Sequence, residues 1–358
     1  MTARMRILTV VGNRPQFIKT AVLSPLLRTR FIEILVHTGQ HYDANMSALF
    51  FRELAIPAPD VRLDTRPAAE MARALEFELK RYVPDCVLVY GDTNSTLAGV
   101  LAAVRCGVPV IHVEAGARSY DRRMPEESNR LVADHSADLL LCSSQRCRDN
   151  LAQEGIVRDV VVVGDLLLDL LKRVSARVGG WRNVVAQYAP SSRKYALLTV
   201  HRPSNTDNRR RMAAILSAVQ RAGQQVIWPV HPRCTTLGFP KLAAGSQRIH
   251  PIPPQGYLDF LALLKHARVV VTDSGGVQKE AYWLGVPCLT LREQTEWVET
   301  VEAGWNRLVG ADGDKIAEGV SSFRPSAERP EFYGNGQAGR KILEALSEWG
   351  RKRQLVRF

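Results

Sequence analysis

The chain has 358 residues, of which 46% are apolar, and its net charge is +12 because 48 basic side chains outnumber 36 acidic ones. This length exceeds one ordinary hydrophobic core and predicts two domains of globular composition. No apolar run approaches the roughly 18 residues that span a membrane, so an integral membrane protein is not expected.

The basic residues are spread along the chain, apart from short clusters at residues 209–211 and 351–353. No helix-turn-helix, zinc-finger or RNA-binding signature accompanies them, so a nucleic-acid partner is not expected. A small, multiply anionic ligand fits the charge better, and an arginine-rich surface without function fits equally well. The six cysteines form no C-x-x-C pair and the first residues resemble no secretory signal, which predicts a cytoplasmic protein with reduced thiols.

Strands and helices alternate along the first half of the chain. Buried strands are predicted at residues 5–11, 33–37, 85–90, 108–113, 139–142 and 160–163. This alternation predicts a parallel, doubly wound α/β sheet, in which ligands bind beyond the carboxyl ends of the strands. Arg14, Asp92 and Glu114 follow three of those ends, so we expect a ligand site at that edge.

Two helix starts in this half carry charge. Arg14 and Lys19 lie at the start of the first helix, where cations are unfavourable unless an anion sits between them; a solvated helix end is the alternative. Pro125 begins a later helix whose first turn holds Glu126 and Glu127. Either glutamate could act in catalysis or only complement the helix dipole.

A second alternating pattern follows a loosened linker at residues 179–180 and 190–192. Strands are predicted at residues 195–200, 225–230, 248–252, 268–271, 287–291 and 306–309, and an amphipathic helix at about 337–349. The sequence therefore predicts two doubly wound, Rossmann-like domains that face a cleft, at residues 1–168 and 169–336, and a last helical segment at 337–358.

Ser274, Gly275 and Gly276 lie where a predicted strand ends and a helix begins. Unpaired N–H groups and the helix dipole favour an anion there, and the glycines let a phosphate approach the backbone. Glu280, six residues after Ser274, can accept hydrogen bonds from the hydroxyls of a ribose. A common turn without a ligand is the alternative. With His201 at another strand end, this pattern predicts a nucleotide-sugar whose nucleotide lies in the second domain.

Six blocks resemble the non-hydrolysing UDP-N-acetylglucosamine 2-epimerases: residues 12–19 (GNRPQFIK), 91–96 (GDTNST), 112–116 (HVEAG), 124–130 (MPEESNR), 272–280 (TDSGGVQKE) and 302–307 (EAGWNR). The blocks cover nearly the whole chain in the right order. The resemblance implies the GT-B architecture of two Rossmann-like domains, with the last helix crossing back to the first. It implies inversion at C2 of a UDP-amino sugar without a cofactor or a metal, in cell-surface polysaccharide biosynthesis, and we expect a homodimer.

The matched positions imply catalytic roles for Asp92, Glu114, Glu126 and His201. They imply contacts to UDP or to the sugar for Arg14, Lys19, Gln255, Phe260, Ser274, Gly275, Gly276, Glu280 and Arg307. Four positions depart from the commonest family pattern, namely Asn13, Gln16, Asp43 and Ser204. Asp43 stands where some bacterial members have a glutamine that helps to bind a second, allosteric UDP-sugar. The forms His41-Tyr-Asp and Thr295-Glu-Trp resemble a branch that acts on UDP-2,3-diacetamido-glucuronic acid.

The chemistry must overcome the low acidity of the C2 proton, because no carbonyl adjoins it. Loss of UDP from C1 creates an oxocarbenium-like centre that acidifies this proton, and a carboxylate can then remove it to leave a glycal and UDP. Reprotonation from the other face and return of UDP invert C2. A hydrolysing 2-epimerase, a GT-B glycosyltransferase and a non-catalytic nucleotide-sugar-binding module are the alternatives. A dehydrogenase is not expected, since no G-x-G-x-x-G follows the first strand.

Overall fold

The computed structural model describes residues 4–40, 51–65, 67–175, 182–188, 195–325 and 328–354. The predictions for residues 41–43 and for the linker at residues 179–180 and 190–192 lie outside these residues. The chain divides into two compact units, which we call unit 1 (Met1–Arg173 with Glu331–Phe358) and unit 2 (Val174–Pro330). These borders lie a few residues from the predicted ones at 168/169 and 336/337.

The described part of unit 1 contains a seven-stranded parallel sheet. Its strands are β1 (Arg6–Val11), β2 (Ile32–His37), β3 (Val61–Arg62), β4 (Cys86–Tyr90), β5 (Val110–Ala115), β6 (Leu139–Cys142) and β7 (Val160–Val162), in the spatial order β3-β2-β1-β4-β5-β6-β7. Helices α1 (Arg14–Arg30), α2 (Ala68–Tyr82), α3 (Asn94–Cys106), α4 (Pro125–Ser136), α5 (Gln145–Gln153) and α6 (Leu166–Ser175) connect or follow them. All five residues of β4 are buried, as expected for a parallel strand covered on both faces.

The described part of unit 2 contains a six-stranded parallel sheet. Its strands are β8 (Tyr195–Thr199), β9 (Gln225–Pro229), β10 (Ile249–Ile252), β11 (Val269–Thr272), β12 (Cys288–Thr290) and β13 (Asn306–Leu308), in the order β10-β9-β8-β11-β12-β13. The helices are α7 (Arg182–Tyr188), α8 (Pro203–Thr206), α9 (Arg209–Arg221), α10 (Pro232–Thr236), α11 (Pro240–Ala243), α12 (Tyr257–His266), α13 (Gly275–Leu284), α14 (Val298–Glu302) and α15 (Gly313–Ser322).

The chain then returns to unit 1 and ends in helix α16 (Ala338–Lys352). The apolar face of α16 is buried, and the helix packs against α1. Asp169 of α6 fixes its start, because the carboxylate accepts hydrogen bonds from the N–H groups of Ala338 (2.9 Å) and Gly339 (2.8 Å). Among the helices that the structure describes, none combines the length and the apolar composition that a membrane crossing requires.

Each sheet has one point at which the strand order reverses. In unit 1 it lies between β1 and β4, and in unit 2 between β8 and β11. In doubly wound sheets the loops at such a point diverge and leave room for a ligand beyond the strand ends. The predicted fold class, two doubly wound parallel α/β sheets, is confirmed, and the reversal points indicate where each unit can bind a ligand.

Candidate active site

Gln16 joins the two turns at the reversal point of unit 1. Its side chain is buried, its carboxamide oxygen accepts from Gly12 N–H (2.7 Å), and its amide nitrogen lies 3.0 Å from the Tyr90 carbonyl oxygen and 3.1 Å from Thr93 Oγ1. An amide supplies both the acceptor and the donor that these partners need, whereas a carboxylate would direct a negative oxygen at the Tyr90 carbonyl. The local partners therefore explain a glutamine at this position.

Asp92 follows β4 at the same point. Arg130 of α4 pairs with its carboxylate, and Asn129 donates a hydrogen bond to its main-chain carbonyl (2.9 Å). The Arg130 guanidinium also pairs with Glu127, at 2.6 Å. The Asp92 side chain is 28% exposed, so a ligand can reach its carboxylate. The carboxylate is held in place by Arg130 of α4, the helix that also carries Glu126.

The two glutamates in the first turn of α4 have different environments. Glu127 is buried and accepts hydrogen bonds from the N–H groups of Ser119 (3.0 Å) and Tyr120 (2.9 Å). Burial alone would raise the pKa of Glu127, but these bonds and the charge of Arg130 hold that pKa below its usual range. Glu126 is half-buried, and its carboxylate has no hydrogen-bond or ion-pair partner within the described part of the chain. Glu127 therefore anchors the preceding loop, and Glu126 remains available to a ligand.

Glu114 lies in an irregular part of β5. Its φ is 73°, in the left-handed region that is costly for a residue with a side chain, and the pairing of β5 with β6 shifts register between Val113 and Ala115. The Glu114 carboxylate pairs with the ammonium group of Lys19, which is buried. A Cβ atom placed on Gly91 would lie 3.3 Å from Glu114 Oε2 and 3.4 Å from Lys19 Nζ. Glu114 and Lys19 thus come together beside the turn that carries Asp92.

This geometry changes the interpretation of the charged start of α1. Lys19 has an anionic partner within the chain, so a bound anion is not required to explain its position. Arg14 is the first residue of α1 and is half-buried. Contacts of Arg14 and Lys19 with a substrate stay predictions.

A fully buried polar network lies beneath these carboxylates. The His112 ring contacts Asp134 through Nδ1 (2.7 Å) and the Gly91 carbonyl through Nε2 (2.7 Å). Asp134 also accepts from Gly116 N–H (3.1 Å) and pairs with Arg118 (2.7 Å). Burial would raise the pKa of Asp134, but His112 and Arg118 together lower it. The network therefore connects Gly91, which precedes Asp92, with His112 and Gly116, which lie two residues before and two residues after Glu114.

The reversal point of unit 2 holds His201 against Asp273. The His201 Nδ1 atom lies 2.9 Å from Asp273 Oδ1, and the His201 side chain is 39% exposed while that of Asp273 is fully buried. The Asp273 carboxylate also accepts from the main-chain N–H groups of His201 (3.1 Å) and Arg202 (3.0 Å) and from Asn205 Nδ2 (3.0 Å). Burial would raise the pKa of Asp273, but the charge of His201 and these hydrogen bonds lower it to about 2.

The predicted phosphate cradle lies at the start of α13, next to this pair. Ser274 caps the helix, with its Oγ 3.5 Å from Val277 N. A Cβ atom on Gly275 would lie 2.7 Å from Glu296 Oε1, whereas no described atom lies within 4 Å of one on Gly276. A side chain at position 275 would displace the Glu296 carboxylate, and Gly276 leaves the space that a phosphate would need.

Three further predicted residues lie around α13. Glu280, in its second turn, is 4% exposed. Phe260 is buried in α12, which packs against α13. Gln255 precedes α12, and its amide nitrogen donates to the Pro253 carbonyl (2.7 Å). Their contacts with UDP stay predictions.

Arg307 lies apart from this group, on the edge strand β13. Its neighbour Asn306 contacts Gln278 of α13 (3.0 Å), so strand alternation directs Arg307 to the opposite face of the sheet. There it pairs with Glu318 (2.7 Å) and lies over the Phe323 ring at 4.6 Å. The described contacts do not bring Arg307 to the cradle, and its ligand contact stays a prediction.

Sequence reasoning did not assign roles to Arg130, Asp134 and Asp273. Asp273 carried a usable signal, because it directly follows β11 and precedes the cradle. Arg130 and Asp134 lie inside a helix pattern, where a charged residue is usually read as part of the exposed face. Among the described residues, no group of three or more His, Cys, Asp or Glu side chains is placed to hold a metal ion.

Comparison with known proteins identifies the family. Residues 27–347 match the family described as UDP-N-acetylglucosamine 2-epimerase. A UDP-N-acetylglucosamine 2-epimerase homolog of Methanococcus maripaludis is 43% identical over 96% of this chain and 99% of its own length. The UDP-2,3-diacetamido-2,3-dideoxy-D-glucuronate 2-epimerase of Pseudomonas aeruginosa is 42% identical over 96% of this chain and all of its own.

A solved structure supports the same assignment. The UDP-GlcNAc 2-epimerase of Methanocaldococcus jannaschii, in complex with UDP-GlcNAc and UDP, superposes with a TM-score of 0.87 at 36% identity, covering 96% of this chain and 100% of that one. Two doubly wound units with these relatives define a UDP-sugar-dependent isomerase. The chain belongs to the UDP-N-acetylglucosamine 2-epimerase family, which confirms the predicted enzyme class.

Proposed function

We propose that this chain inverts C2 of a UDP-activated, N-acetylated amino sugar, either UDP-N-acetylglucosamine or a close derivative, without an added cofactor. The reaction eliminates UDP, passes through a glycal and adds UDP back. The observation that carries the proposal is the convergence of Asp92, Glu114 and Lys19 around Gly91 at the reversal point of unit 1. The names of the relatives support the substrate class.

In this proposal the carboxylates of unit 1 act on the sugar. Asp92 and Glu114 are paired with Arg130 and Lys19, and a negative carboxylate stabilises the positive charge that develops at C1 as UDP departs. Glu126 has no hydrogen-bond or ion-pair partner among the described residues, so its carboxylate is available to the substrate. We assign the transfer of the C2 proton to this set of three.

The residues of unit 2 hold the nucleotide. The start of α13 offers N–H groups and open space at Gly276 to the diphosphate, and Glu280 accepts from the ribose hydroxyls. His201 acts on the departing phosphate oxygen. It is oriented by Asp273 and remains partly exposed.

Hydrogen exchange at C2 tests the mechanism. During turnover in D2O, deuterium should enter C2 of both epimers, because the proton removed from the substrate exchanges before reprotonation. The reaction should proceed without NAD, and EDTA should not inhibit it. Proton NMR of the two epimers measures the exchange. Retention of the original hydrogen at C2 of the product would exclude the elimination.

The products also separate the alternatives. UDP-N-acetylglucosamine incubated without an acceptor should give a UDP-linked C2 epimer. Free N-acetylmannosamine would instead indicate a hydrolysing epimerase, and no reaction would indicate a glycosyltransferase or a binding module. A UDP-2,3-diacetamido-glucuronate substrate belongs in the same panel because of the 42% identical relative that is named for it.

Replacement of Glu280 by alanine tests the nucleotide site. Loss of a hydrogen bond to a charged group costs about 1.5–3 kcal/mol, so UDP affinity should fall by roughly 10- to 100-fold. Isothermal calorimetry measures the affinity. Glu293→Ala is the matched control, because Glu293 lies in the same unit with a side chain that is 65% exposed. Unchanged affinity in Glu280→Ala would place the ribose elsewhere.

We also propose a homodimer and a cytoplasmic location, as the resemblance implies. Sedimentation equilibrium of the purified chain tests the first proposal, with a monomeric mass as the contrary outcome. Cell fractionation tests the second.

A further inference from the structure

We propose that Asp273 is a positioning residue for turnover, which holds His201 in the tautomer with hydrogen on Nδ1 and so directs Nε2 to the departing diphosphate. The inference rests on the proposed function, since it takes His201 to act on UDP as UDP leaves. Asp273 itself does not touch the substrate in this proposal.

One buried carboxylate holds both the ring and the main chain of His201. Asp273 Oδ1 lies 2.9 Å from the ring Nδ1 and 3.1 Å from the main-chain N of His201. Oδ2 accepts from the next N–H group, that of Arg202, at 3.0 Å. The parallel register pairs Thr272 with Thr199, so this contact joins the ends of β11 and β8. The main-chain hydrogen bonds fix the position of the Asp273 carboxylate, so rotation of the His201 ring would break the contact between Nδ1 and Oδ1.

Among the described side chains, the His201 ring is the titratable group that contacts the Asp273 carboxylate directly, at 2.9 Å. The Arg202 guanidinium lies 3.8 Å from Glu296 Oε1. The other ring that faces His201 is that of His231, with 5.5 Å between centroids, and its Nδ1 accepts from Arg233 N–H (3.2 Å). An ionised carboxylate only accepts hydrogen bonds, so it fixes hydrogen on Nδ1 of His201. The His201 side chain is 39% exposed, so a ligand can reach the ring while Nδ1 stays on Asp273.

This arrangement suits the departure and return of UDP. When the C1–O bond breaks, its electron pair stays on the phosphate oxygen, and Nε2–H of protonated His201 donates its proton or a strong hydrogen bond to that oxygen. When UDP adds back, the electron pair forms the new bond and the proton returns to Nε2. Asp273 keeps its charge throughout and stabilises the protonated ring.

The wild-type protein gives the first test. Nitrogen-15 NMR of histidine-labelled protein should show that the neutral His201 ring carries its hydrogen on Nδ1. It should also show that Nε2 is the nitrogen that loses its proton when the ring is deprotonated. The spectrum of His201→Gln assigns the signal. The reverse tautomer would overturn the inference. This measurement needs no change at Asp273, so it decides even if a variant there folds poorly.

A double-mutant cycle gives the second test. Asp273→Asn should lower kcat by about 10- to 100-fold, by analogy with the carboxylates that orient metal-bound histidines, whose loss has an effect of that size. In a His201→Gln background the same change should lower kcat by less than about threefold, because a residue that acts through His201 has no further effect once the ring is gone. Equal factors in both backgrounds would overturn the inference and assign Asp273 to the scaffold alone.

The control keeps the two proposals apart. Asp312→Asn replaces another carboxylate of unit 2 that accepts two main-chain N–H groups but has no imidazole partner, and it should leave kcat within about twofold of the wild type. If His201→Gln alone leaves kcat unchanged, the proposed role of His201 fails. If His201→Gln slows turnover and the cycle shows no coupling, only the inference about Asp273 fails.

Discussion

Replacement of Asp134 by alanine is expected to lower the stability of unit 1 by about 3–5 kcal/mol, the usual cost of removing one partner from a buried ion pair. The change leaves His112 and Arg118 without their shared carboxylate, and both side chains are fully buried. For a unit of this size the loss corresponds to a decrease of roughly 10 °C in the melting temperature. Differential scanning calorimetry measures it.

Asp138→Ala is the matched control. Asp138 also accepts a main-chain N–H group, that of Val110 (2.9 Å), and also pairs with an arginine, Arg353 (2.9 Å), but its side chain is 31% exposed. Its loss should cost only about 1 kcal/mol, because water can replace the carboxylate. A melting temperature for Asp134→Ala as high as that of the control would mean that the network contributes little stability.

The pH dependence gives the same prediction a second readout. The pKa of Asp134 is lowered in the folded chain, so its ionised form stabilises the fold above the unfolded value and that contribution is lost as the pH falls through the folded pKa. Asp273 makes the same kind of contribution, because folding lowers its pKa from 3.8 to about 2. The wild type should therefore lose stability as the pH is lowered from about 4. The difference in the free energy of unfolding between wild type and Asp134→Ala should become smaller over that range, because both chains then lack the Asp134 charge.

The fold could be predicted where apolar runs are long and continuous. Strand β4 (Cys86–Tyr90) is buried throughout, and the sequence predicts it directly. Strand β3 (Val61–Arg62) was missed, because two residues of which one is exposed carry no periodic pattern. The start of α13 was predicted from Ser274, and its end follows from Gly285, whose φ of 68° suits a helix terminus.

The sequence predicts which candidate site residues lie at the ends of strands, but it does not predict what their side chains contact. Alternating strands and helices put Asp92 and Glu114 at one edge of a sheet, whatever their side chains contact. The ion pairs at that edge join residues far apart in sequence: 95 positions separate Lys19 from Glu114, and 38 separate Asp92 from Arg130. These pairs depend on strand register and side-chain direction, which local patterns do not fix.

Amide substitutions at the three candidate catalytic carboxylates are expected to have the largest effect on activity. Asp92→Asn, Glu114→Gln and Glu126→Gln keep the shape of each side chain and remove its charge and its capacity for proton transfer. Each should lower kcat by ~10²-fold or more. UDP affinity should stay near that of the wild type, since we assign the nucleotide to unit 2. Steady-state kinetics and calorimetry on the same preparations measure both quantities.

The pairing seen in unit 1 predicts a different stability for each variant. Asp92→Asn removes one of the two carboxylates that pair with Arg130, and Glu114→Gln removes the carboxylate that pairs with Lys19. Both cations are buried, so these variants should also melt at lower temperature. Glu126→Gln should lower the melting temperature only slightly, because its carboxylate has no hydrogen-bond or ion-pair partner among the described residues and loses only its interaction with the helix dipole. A loss of kcat with only this slight loss of stability would then identify Glu126 as a group that acts on the substrate.

Glu70→Gln is the control for Glu126→Gln, because Glu70 is an exposed glutamate in the first turn of α2 in the same unit. Both substitutions remove the same favourable interaction with a helix dipole, worth about 0.3–1 kcal/mol. If Glu126→Gln keeps kcat as Glu70→Gln should, Glu126 is only a dipole partner and Asp92 and Glu114 carry the proton transfer between them. If all three site variants keep kcat near the wild-type value, these carboxylates do not perform the elimination and the proposed mechanism is wrong, although the family assignment would stand.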